Sequence, residues 1–213
     1  MTAPKTTEAG TFTPRVERKR NRRVQEILRA AAELIGERGH AAVTLDAVAE
    51  ALDVTKGSIY YYFHSKDELI SACIGSIGTE VNRRLADAAA NADGDAVDRL
   101  RAVIREQLLI VLRDHPESVR LFLFPVDWPE PHRTLAREFR HGHNLVFKGV
   151  IEDGVRAGEL HVSSVEMALH CLHGALNYVP VWYRRSSRAA LERTITEVTD
   201  TVLALVGQGP SRP

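Results

Sequence analysis

Cysteine is scarce in this chain of 213 residues, which contains two cysteines, two methionines and two tryptophans. Cys73 and Cys171 each lie inside an apolar helical pattern, so the sequence argues against a disulfide scaffold or a thiolate metal cluster. Long hydrophobic runs are also missing: residues 108–112 (LLIVL) are among the longest, far short of the ~20 residues of a membrane-spanning helix. No apolar stretch follows the first basic residue, as it would in a secretory signal. We therefore expect a cytoplasmic protein without a membrane partner.

Net charge is absent as well, because 28 basic residues balance 28 acidic ones. The average conceals an asymmetry: residues 1–66 carry 11 basic and 8 acidic side chains, whereas the rest of the chain carries 17 and 20. Six basic residues fall within nine positions, opposed there by Glu17 alone: Arg15, Arg18, Lys19, Arg20, Arg22 and Arg23. Such a run is usually a solvated face or tail, and by itself it favours a nucleic-acid partner only weakly.

Apolar residues recur at steps of three and four along almost the whole chain, which is the pattern of amphipathic helices. We therefore predict an all-α fold. The composition divides the chain into a disordered basic N-terminal arm, a helix-turn-helix domain, a larger helical domain and a short tail. These four parts comprise residues 1–20, 21–66, 67–208 and 209–213.

Two short helices, predicted at residues 44–52 and 55–63, are joined by a tight turn. This is the arrangement of a helix-turn-helix motif, whose second helix enters the DNA major groove. At 100° per residue, Ile59 and Phe63 share one face of the second helix. We expect that face to pack on the preceding helices.

The opposite face of the second helix carries Gly57 and Tyr61, flanked by Ser58 and Tyr60. Glycine lets a DNA backbone approach closely, serine can hydrogen-bond base edges or phosphates, and tyrosine hydroxyls commonly bind phosphates. Lys56, in the first turn, can reach a guanine edge or a phosphate. This face is poorly suited to a core and well suited to a duplex.

An aromatic core cluster is the alternative interpretation of residues 60–63 (YYYF). Consecutive residues of a helix cannot all point inward, so this alternative accounts for Phe63 and at most Tyr62. Just beyond, Ser65 and Lys66 begin the next helix and place free N–H groups and a cation beside the same backbone, which suits an anion. The outward face, the basic run and the helix pair together favour DNA contact.

Residues 24–69, above all the segment TLDAVAEALDVTKGSIYYYFHSKDELI that starts at Thr44, resemble the DNA-binding domain of the TetR family of bacterial transcriptional regulators. The resemblance covers about a fifth of the chain. It implies an all-helical homodimer in which three N-terminal helices bind DNA and the larger domain binds an effector and forms the dimer. One departure is Asp53, where the family often has glycine, but aspartate tolerates a left-handed turn.

The same resemblance implies a ligand-responsive regulator, usually a repressor. Two heads on a pseudo-palindromic operator are expected, because one three-helix head contacts too few base pairs to be selective. Carried over to this chain, base or phosphate contacts fall at Thr44, Thr55, Lys56, Gly57, Ser58, Tyr60, Tyr61, Tyr62 and Lys66.

The segment GALNYVPVWYRRSS, residues 174–187, is similar to a pattern found in one branch of these regulators, several of which respond to acyl-coenzyme A thioesters. The resemblance implies a small apolar or acyl-CoA-type effector that releases DNA. Asn177 and Trp182 are its candidate contacts, and Phe122 and Phe147 are candidate pocket walls. Asn177 is equally consistent with a satisfied core polar group, and Trp182 with an interface anchor. Five arginines are candidates for a phosphate-bearing ligand, although surface arginines are seldom so specific: Arg133, Arg137, Arg140, Arg184 and Arg185.

The last predicted helix, from about residue 188 to residue 206, carries apolar residues at alternating steps of four and three. Such spacing forms a narrow seam for another helix, and packing within one subunit satisfies it equally well. We predict that the last two helices form the dimer through this seam, which comprises Leu191, Ile195, Val198, Val202 and Leu205.

Nine histidines raise the alternative of a metal-responsive regulator. His170 and His173 lie three residues apart on one helix face, and His141 and His143 lie upstream, but no cysteine or carboxylate completes a recognisable metal-site spacing. We therefore assign no metal site. The sequence has no glycine-rich phosphate loop, no nucleophile elbow and no HExxH, so we expect neither catalysis nor a cofactor. A carrier protein or an architectural DNA binder is the remaining alternative.

Overall fold

The computed structural model of this chain describes residues 14–123, 128–185 and 187–207. Helices are the regular structure throughout the described part, which confirms the predicted all-α class. None of the helices described is both long and apolar enough to cross a membrane. The α-helices are α1 (Pro14–Arg38), α2 (Leu45–Ala51), α3 (Lys56–Tyr60), α4 (Lys66–Asn91), α5 (Ala96–Leu109), α6 (His132–Ala157), α7 (Val165–Trp182) and α8 (Arg188–Gly207). A 3-10 turn (His40–Ala42) follows α1, and two π-helical turns (Ile110–Asp114 and Val119–Leu123) follow α5.

The three helices of the N-terminal head, α1 to α3, are delimited by local chemistry. Thr44 and Thr55 cap α2 and α3, because each side-chain oxygen accepts a hydrogen bond from a backbone N–H in the first turn. Ser65 caps α4 in the same way. The turn between α2 and α3 has Asp53 at a φ of 51°, the left-handed conformation that aspartate was expected to tolerate. The head geometry is therefore encoded within short stretches of sequence.

The predicted disordered arm, residues 1–20, is wrong from residue 14 onward, because α1 already begins at Pro14. Proline favours the first helical position, since its missing N–H needs no partner there and its φ is already helical. The basic run at residues 15–23 is thus the exposed start of a 25-residue helix. Residues 1–13 of the predicted arm and the tail at 209–213 lie outside the described residues.

The larger domain is built around α4, which packs along α6 and also against α5. Close packing requires glycine at Gly78, where a Cβ would lie 2.8 Å from Cδ2 of Phe139. On the same side of α4, Asn82 Nδ2 donates a hydrogen bond of 3.2 Å to the Phe139 carbonyl oxygen. The helix that follows the head is therefore held closely against α6.

The predicted dimer seam on α8 packs within its own subunit. Leu191, Ile195 and Val202 belong to the hydrophobic core, and Val198 is half-buried against it. The side chain of Leu205 lies outside the described residues. These buried positions correct the assignment of the seam to the dimer interface. The residues at these alternating steps pack against other helices, and those helices are α5 and α7 of the same subunit. Packing within one subunit is the alternative that the sequence left open.

Candidate nucleic-acid interface and effector cavity

Helix α3 separates an inward from an outward face. Ile59 is completely buried and Phe63, just past the helix, is 5% exposed, as the 100° periodicity predicted. Tyr60 and Tyr61 are 47% and 69% exposed. A Cβ added at Gly57 would meet no atom within 4 Å, so the protein itself does not require glycine there.

The polar side chains at the start of α3 are held in place by hydrogen bonds. Thr55 Oγ1 and Ser58 Oγ lie 2.8 Å apart. Lys56 Nζ donates to Asp46 Oδ2 on α2 at 2.5 Å, and this hydrogen bond together with the aspartate's charge raises the pKa of Lys56 above its ordinary value. The lysine remains exposed, so its cation is available to a further anion while its direction is fixed by α2.

Two of the predicted DNA contacts are more enclosed than the rest. Lys66 Nζ donates to the Ala41 carbonyl oxygen at 2.8 Å, which ties the start of α4 to the segment before α2. Tyr62 is half-buried, and its ring stands edge-on to Tyr61 with centroids 5.0 Å apart. The capping hydroxyl of Thr44 is exposed. The structure thus brings the predicted contacts to one end of the head, with Lys66 and Tyr62 at the rim.

A cationic groove lies between the beginning of α1 and the end of α3. Its volume is about 480 Å³, and it is lined mainly by Lys19, Arg20, Arg22, Arg23, Tyr61 and Tyr62, with Val16 and Glu26. The prediction of a disordered arm missed this groove. Basic residues at positions 15, 18, 19 and 22 follow the spacing of one helix face, and this is the sequence signal that favours a helix over a disordered arm.

A cavity of about 370 Å³ opens between α6, α7 and the second π-helical turn. Two of the four predicted effector residues, Phe122 and Asn177, line it. The complete lining comprises Phe122, Arg137, Phe139, Arg140, His141, His143, Asn144, His173 and Asn177. Its mouth carries two of the arginines that the sequence offers as phosphate ligands, whereas the sequence offered its histidines only as metal ligands.

Phe147 and Trp182 do not line this cavity. Phe147 is completely buried behind it, with its ring edge-on to His173 at a centroid distance of 5.0 Å. Trp182, at the end of α7, is 49% exposed. Neither residue is therefore a direct contact of this cavity: Phe147 packs behind His173, and Trp182 belongs to the outer surface.

Two imidazoles in the cavity wall are uncharged at neutral pH. Burial lowers the pKa of His143 to about 3, and the neighbouring His173 lowers it further. Burial likewise lowers the pKa of His173 to about 4, with a smaller effect from His170. His143 Nε2 donates to Gln107 Oε1 at 2.9 Å, and the two imidazole centroids lie 5.2 Å apart.

Two polar atoms of the same wall are buried without a hydrogen-bond partner in the structure, His173 Nε2 and Asn177 Oδ1. These residues are one turn apart on α7 and face the cavity together. Buried polar atoms are nearly always hydrogen-bonded in folded proteins. The protein itself therefore does not pair Asn177 Oδ1, which does not fit the interpretation of Asn177 as a satisfied core polar group.

The metal alternative receives no support from geometry. Across residues 14–123, 128–185 and 187–207, no three His, Cys, Asp or Glu side chains are grouped so that they could hold a metal ion. His143 and His173 face each other, while His170 on the exposed side of α7 lies 3.9 Å from Glu166 Oε1. These histidines thus belong to different environments.

The outer face of α7 carries an exposed apolar stripe. Met167, Tyr178, Val181 and Trp182 are between 41% and 62% exposed, which is unusual for large apolar side chains. The stripe comprises Met167, Cys171, Gly174, Tyr178, Val181 and Trp182. Its first five residues follow the steps of four and three of a helix-packing seam, and Trp182 adjoins the last of them. Unlike the α8 seam, this stripe is an apolar surface that the described part of the subunit leaves open.

The head and the larger domain meet at His132, the first residue of α6, which is 1% exposed. Its Nδ1 lies 3.2 Å from Ser71 Oγ and its Nε2 lies 3.2 Å from Asp67 Oδ1, both on the first two turns of α4. Buried Trp128 lies between His132 and His40: its ring is edge-on to His132 at a centroid distance of 6.0 Å and tilted against His40 at 5.1 Å. We call these residues the α4–α6 junction. No sequence motif indicated it, because its partners lie about sixty residues apart in the chain.

The capped helix pair with its exposed face, joined to a larger helical domain with a cavity, defines a helix-turn-helix DNA-binding protein. Residues 27–73 match the family described as "Bacterial regulatory proteins, tetR family", and residues 93–206 match "Tetracyclin repressor-like, C-terminal domain". The second match alone spans more than half of the chain. The chain belongs to the TetR family and is a DNA-binding transcriptional regulator.

Curated relatives and solved structures are consistent with this membership. The fatty acid metabolism regulator protein of Bacillus subtilis is 25% identical over 81% of this chain and 91% of its own length. The transcriptional repressor KstR2 of Rhodococcus jostii is 25% identical over 88% of this chain and 91% of its own length. Both relatives are named as regulators.

Two solved structures share the fold. KstR2 of Mycobacterium tuberculosis, a ketosteroid transcriptional regulator, has a TM-score of 0.74 at 18% identity, covering 87% of this chain and 95% of its own. AibR in complex with isovaleryl coenzyme A and operator DNA has a TM-score of 0.72 at 19% identity, covering 87% of this chain and 98% of its own. These likenesses extend through both the head and the larger domain.

Proposed function

We propose that this regulator is a repressor that binds a pseudo-palindromic operator as a homodimer and releases it when a small acyl-CoA-type effector occupies the larger domain. The observation that carries the DNA half is the outward face of α3, on which Gly57 presents bare backbone beside exposed Tyr60 and Tyr61. Ser58 and Lys56 contact base edges or phosphates, and Thr44, Thr55, Tyr62 and Lys66 contact the flanking backbone.

The helical start of α1 extends the DNA interface. The groove formed by Lys19, Arg20 and Tyr61, with their neighbours, combines several cations with a phenol at the end of α3. Cations and tyrosine hydroxyls are typical phosphate ligands, and phosphate contacts strengthen binding without selecting sequence. This groove seats the DNA backbone outside the segment that α3 contacts.

The homodimer forms through the stripe on α7. Burial of an exposed apolar stripe against a second copy of the chain removes apolar surface from water and so stabilises the dimer. In a two-fold interface the same helix of both subunits meets. Gly174 lies at its centre and a Cβ there would meet no atom within 4 Å, so a partner helix can approach closely. In this arrangement Trp182 is an interface anchor, which is the alternative considered for it from the sequence.

The effector binds in the α6–α7 cavity. The relatives support its class: one regulates fatty acid metabolism, and AibR was crystallised with isovaleryl coenzyme A. The lining of the cavity also supports the proposal, because the aromatic rings of Phe122 and Phe139 lie beside the unpartnered polar atoms of His173 and Asn177. Such a mixture is typical of small-molecule sites.

The effector signal reaches the head through α6 and α4. Phe139 lines the cavity and packs on Gly78 of α4, while His132 of the same helix holds the first turns of α4 at the junction. A shift of α6 therefore moves the helix that follows α3, and it changes the spacing of the two heads. By linkage, the ligand releases DNA only as far as it prefers the DNA-incompetent state.

The test is selection of a preferred duplex from a random library, followed by footprinting and titration with isovaleryl coenzyme A. We expect two protected half-sites and a loss of operator affinity of roughly 5- to 150-fold on adding the thioester, with DNA weakening thioester binding by the same factor. A single unpaired half-site, or no preference over random duplex, would contradict the operator proposal. Release by zinc alone would contradict the thioester and favour the histidine-based alternative.

A further inference from the structure

We propose that the α6–α7 cavity binds its ligand in one orientation: an uncharged group that donates and accepts hydrogen bonds lies inside against His173 and Asn177, and an anionic group stays at the mouth against Arg137 and Arg140. A coenzyme A thioester has this chemistry, with its carbonyl and nearest amide at one end and its phosphates at the other. The inference rests on the proposed effector function, and it adds an orientation and the exclusion of free carboxylates.

The interior requires a donor as well as an acceptor. Asn177 Oδ1 can only accept, so the group that satisfies it must carry an N–H or O–H. His173 Nε2 is the second unpartnered atom, and in its protonated tautomer it donates to a carbonyl. An amide beside a thioester supplies both partners, whereas an ionised carboxylate supplies acceptors only and leaves Asn177 Oδ1 unpaired.

The interior also lacks a positive charge to balance a carboxylate. His143 and His173 are the titratable groups of the inner wall, and both are neutral because burial lowers their pKa values to about 3 and about 4. His143 already donates to the neutral Gln107. The charged groups that line the cavity, Arg137 and Arg140, are exposed. An anion carried into the cavity would lose its hydration without gaining an ion pair.

The mouth provides what an anion needs. Arg137 and Arg140 lie three residues apart on one face of α6, and among the described residues neither is in an ion pair. Two guanidinium groups at this spacing bind phosphate oxygens bidentately. A volume of about 370 Å³ is near the lower limit of ligand pockets. It accommodates a short acyl end, so that a nucleotide remains outside beside the arginines.

The inference is tested by calorimetric titration of the full chain, without DNA, with isovaleryl coenzyme A, coenzyme A and isovalerate. We expect the thioester to bind and isovalerate to bind at least a hundredfold more weakly. The double change Arg137→Gln and Arg140→Gln should weaken the thioester roughly tenfold or more, and less so at high salt. Asn177→Leu should weaken it about two- to tenfold. Arg156→Gln, near the other end of the same helix, is the matched control and should have no effect.

Three outcomes would overturn the inference: no thioester binding, isovalerate binding as tightly as the thioester, or thioester affinity that is unchanged or increased in Asn177→Leu. Thermal melting of each variant establishes that it is folded, and coenzyme A binding by Asn177→Leu shows that its mouth is intact. The titration contains no DNA, so it tests the orientation separately from operator release. If the thioester binds as described here but does not release the operator in the footprinting experiment, the proposed function is contradicted and the orientation is not. If the thioester releases the operator equally well from the wild type, from the double variant Arg137→Gln and Arg140→Gln, and from Asn177→Leu, the orientation alone is contradicted.

Discussion

The head and the larger domain differ in how their polar groups are satisfied. In the head, the threonines and the serine that begin helices are paired within three residues, and Lys56 is directed by Asp46 of the adjacent helix. Among the described residues, the head has one buried polar atom without a partner, Asp46 Oδ1, whereas the larger domain has four, on Asn82, His173, Asn177 and Thr199. Most polar groups at the exposed side of the head are therefore already oriented by the protein, whereas two neighbouring residues of the cavity wall, His173 and Asn177, each carry a buried polar atom that the protein leaves unpaired.

This difference bears on how each domain responds when it binds a partner. A surface whose polar groups are already oriented loses little conformational entropy on binding. Such a surface can select its DNA sequence without a change in its own conformation. A wall with unpaired buried atoms gains stability when a ligand pairs them, and that gain is the source of coupling between sites. In the proposed function, the head thus specifies the operator, and the larger domain specifies the condition under which the operator is released.

The largest effect is expected from charge placed in α8 rather than on α7. Ile195→Asp puts a carboxylate in a completely buried site, which costs several kcal/mol and is comparable to a typical total stability of about 5–15 kcal/mol. We expect this variant to unfold or aggregate. Tyr178→Asp, on the exposed stripe, should fold and melt normally but sediment as a monomer.

The two cysteines supply an internal control for that experiment. Cys73 is buried and burial raises the pKa of its thiol to about 12, so it should not react with maleimide in the folded chain. Cys171 lies on the exposed stripe. It should be protected in the wild-type dimer and labelled in Tyr178→Asp. A folded, monomeric Ile195→Asp would restore the α8 seam as the interface.

Acid should affect the larger domain through its two buried histidines. In the folded chain His143 and His173 stay neutral down to about pH 3 and about pH 4, while the unfolded chain protonates them near their ordinary value of 6.5. Stability is therefore unaffected above pH 6.5. Below it, stability falls by up to about 1.4 kcal/mol per pH unit for each histidine until the folded pKa is reached. Denaturant unfolding at several pH values should show a shallower slope in His143→Gln and His173→Gln. Identical slopes in all three proteins would show that these groups do not set the acid response.

Operator binding should be sensitive to a single methyl group on the head. Gly57→Ala adds a Cβ where the protein has open space, so the fold gains up to about 1 kcal/mol of helix propensity. The same methyl stands between the backbone of α3 and DNA, and we expect operator affinity to fall roughly tenfold or more. Fluorescence anisotropy and thermal melting separate the two effects. Gly149→Ala on α6, also facing open space, is the matched control. Unchanged operator affinity would remove α3 from the proposed interface.

The sequence predicted the head in more detail than the larger domain, for a physical reason. Caps such as Thr55 and Ser65 act within one turn, so residue type and spacing are sufficient to locate α3 and α4. The face of α3 followed from its periodicity alone. Periodicity alone did not predict which helix packs on the α8 seam. The same spacing fits a helix of the same subunit and a helix of a partner subunit, and tertiary packing decides between them.

The α6–α7 cavity, which is the proposed effector site, was predicted in part. Asn177 and Phe122 line it as expected, whereas Phe147 and Trp182 lie in other surroundings. Membership of a wall depends on where helices far apart in the chain meet, and no local pattern encodes that. His143 shows the limit most clearly: its role depends on Gln107, which lies 36 residues away. The basic helix was missed for a different reason, since dense charge is typical of disordered arms as well as of solvated helix faces.

Coupling between the domains should depend on the α4–α6 junction. Ser71→Ala removes the hydroxyl that faces His132 Nδ1, and loss of one hydrogen bond is worth about 1 kcal/mol. We expect isovaleryl coenzyme A to release the operator roughly fivefold less effectively, with operator affinity of the free protein nearly unchanged. Thr134→Ala removes a hydrogen bond to Glu130 at the same end of α6 and serves as the control. Equal effects of the two substitutions would contradict a specific role for the junction.

The smallest effect concerns whether the basic run acts as a helix or as a flexible arm. Asn21→Pro retains every charge but breaks α1, because proline removes a backbone hydrogen bond and clashes with the carbonyl of Glu17. Asn21→Ala keeps both the charges and the helix, since Asn21 is exposed. If the helix aligns Lys19 and Arg20 along one groove, the proline variant should bind the operator a few-fold more weakly. The slope of log affinity against log salt should also decrease in magnitude by about one for each phosphate that the variant no longer binds. A flexible arm predicts equal affinities and slopes for the two variants, because it needs charge and not shape.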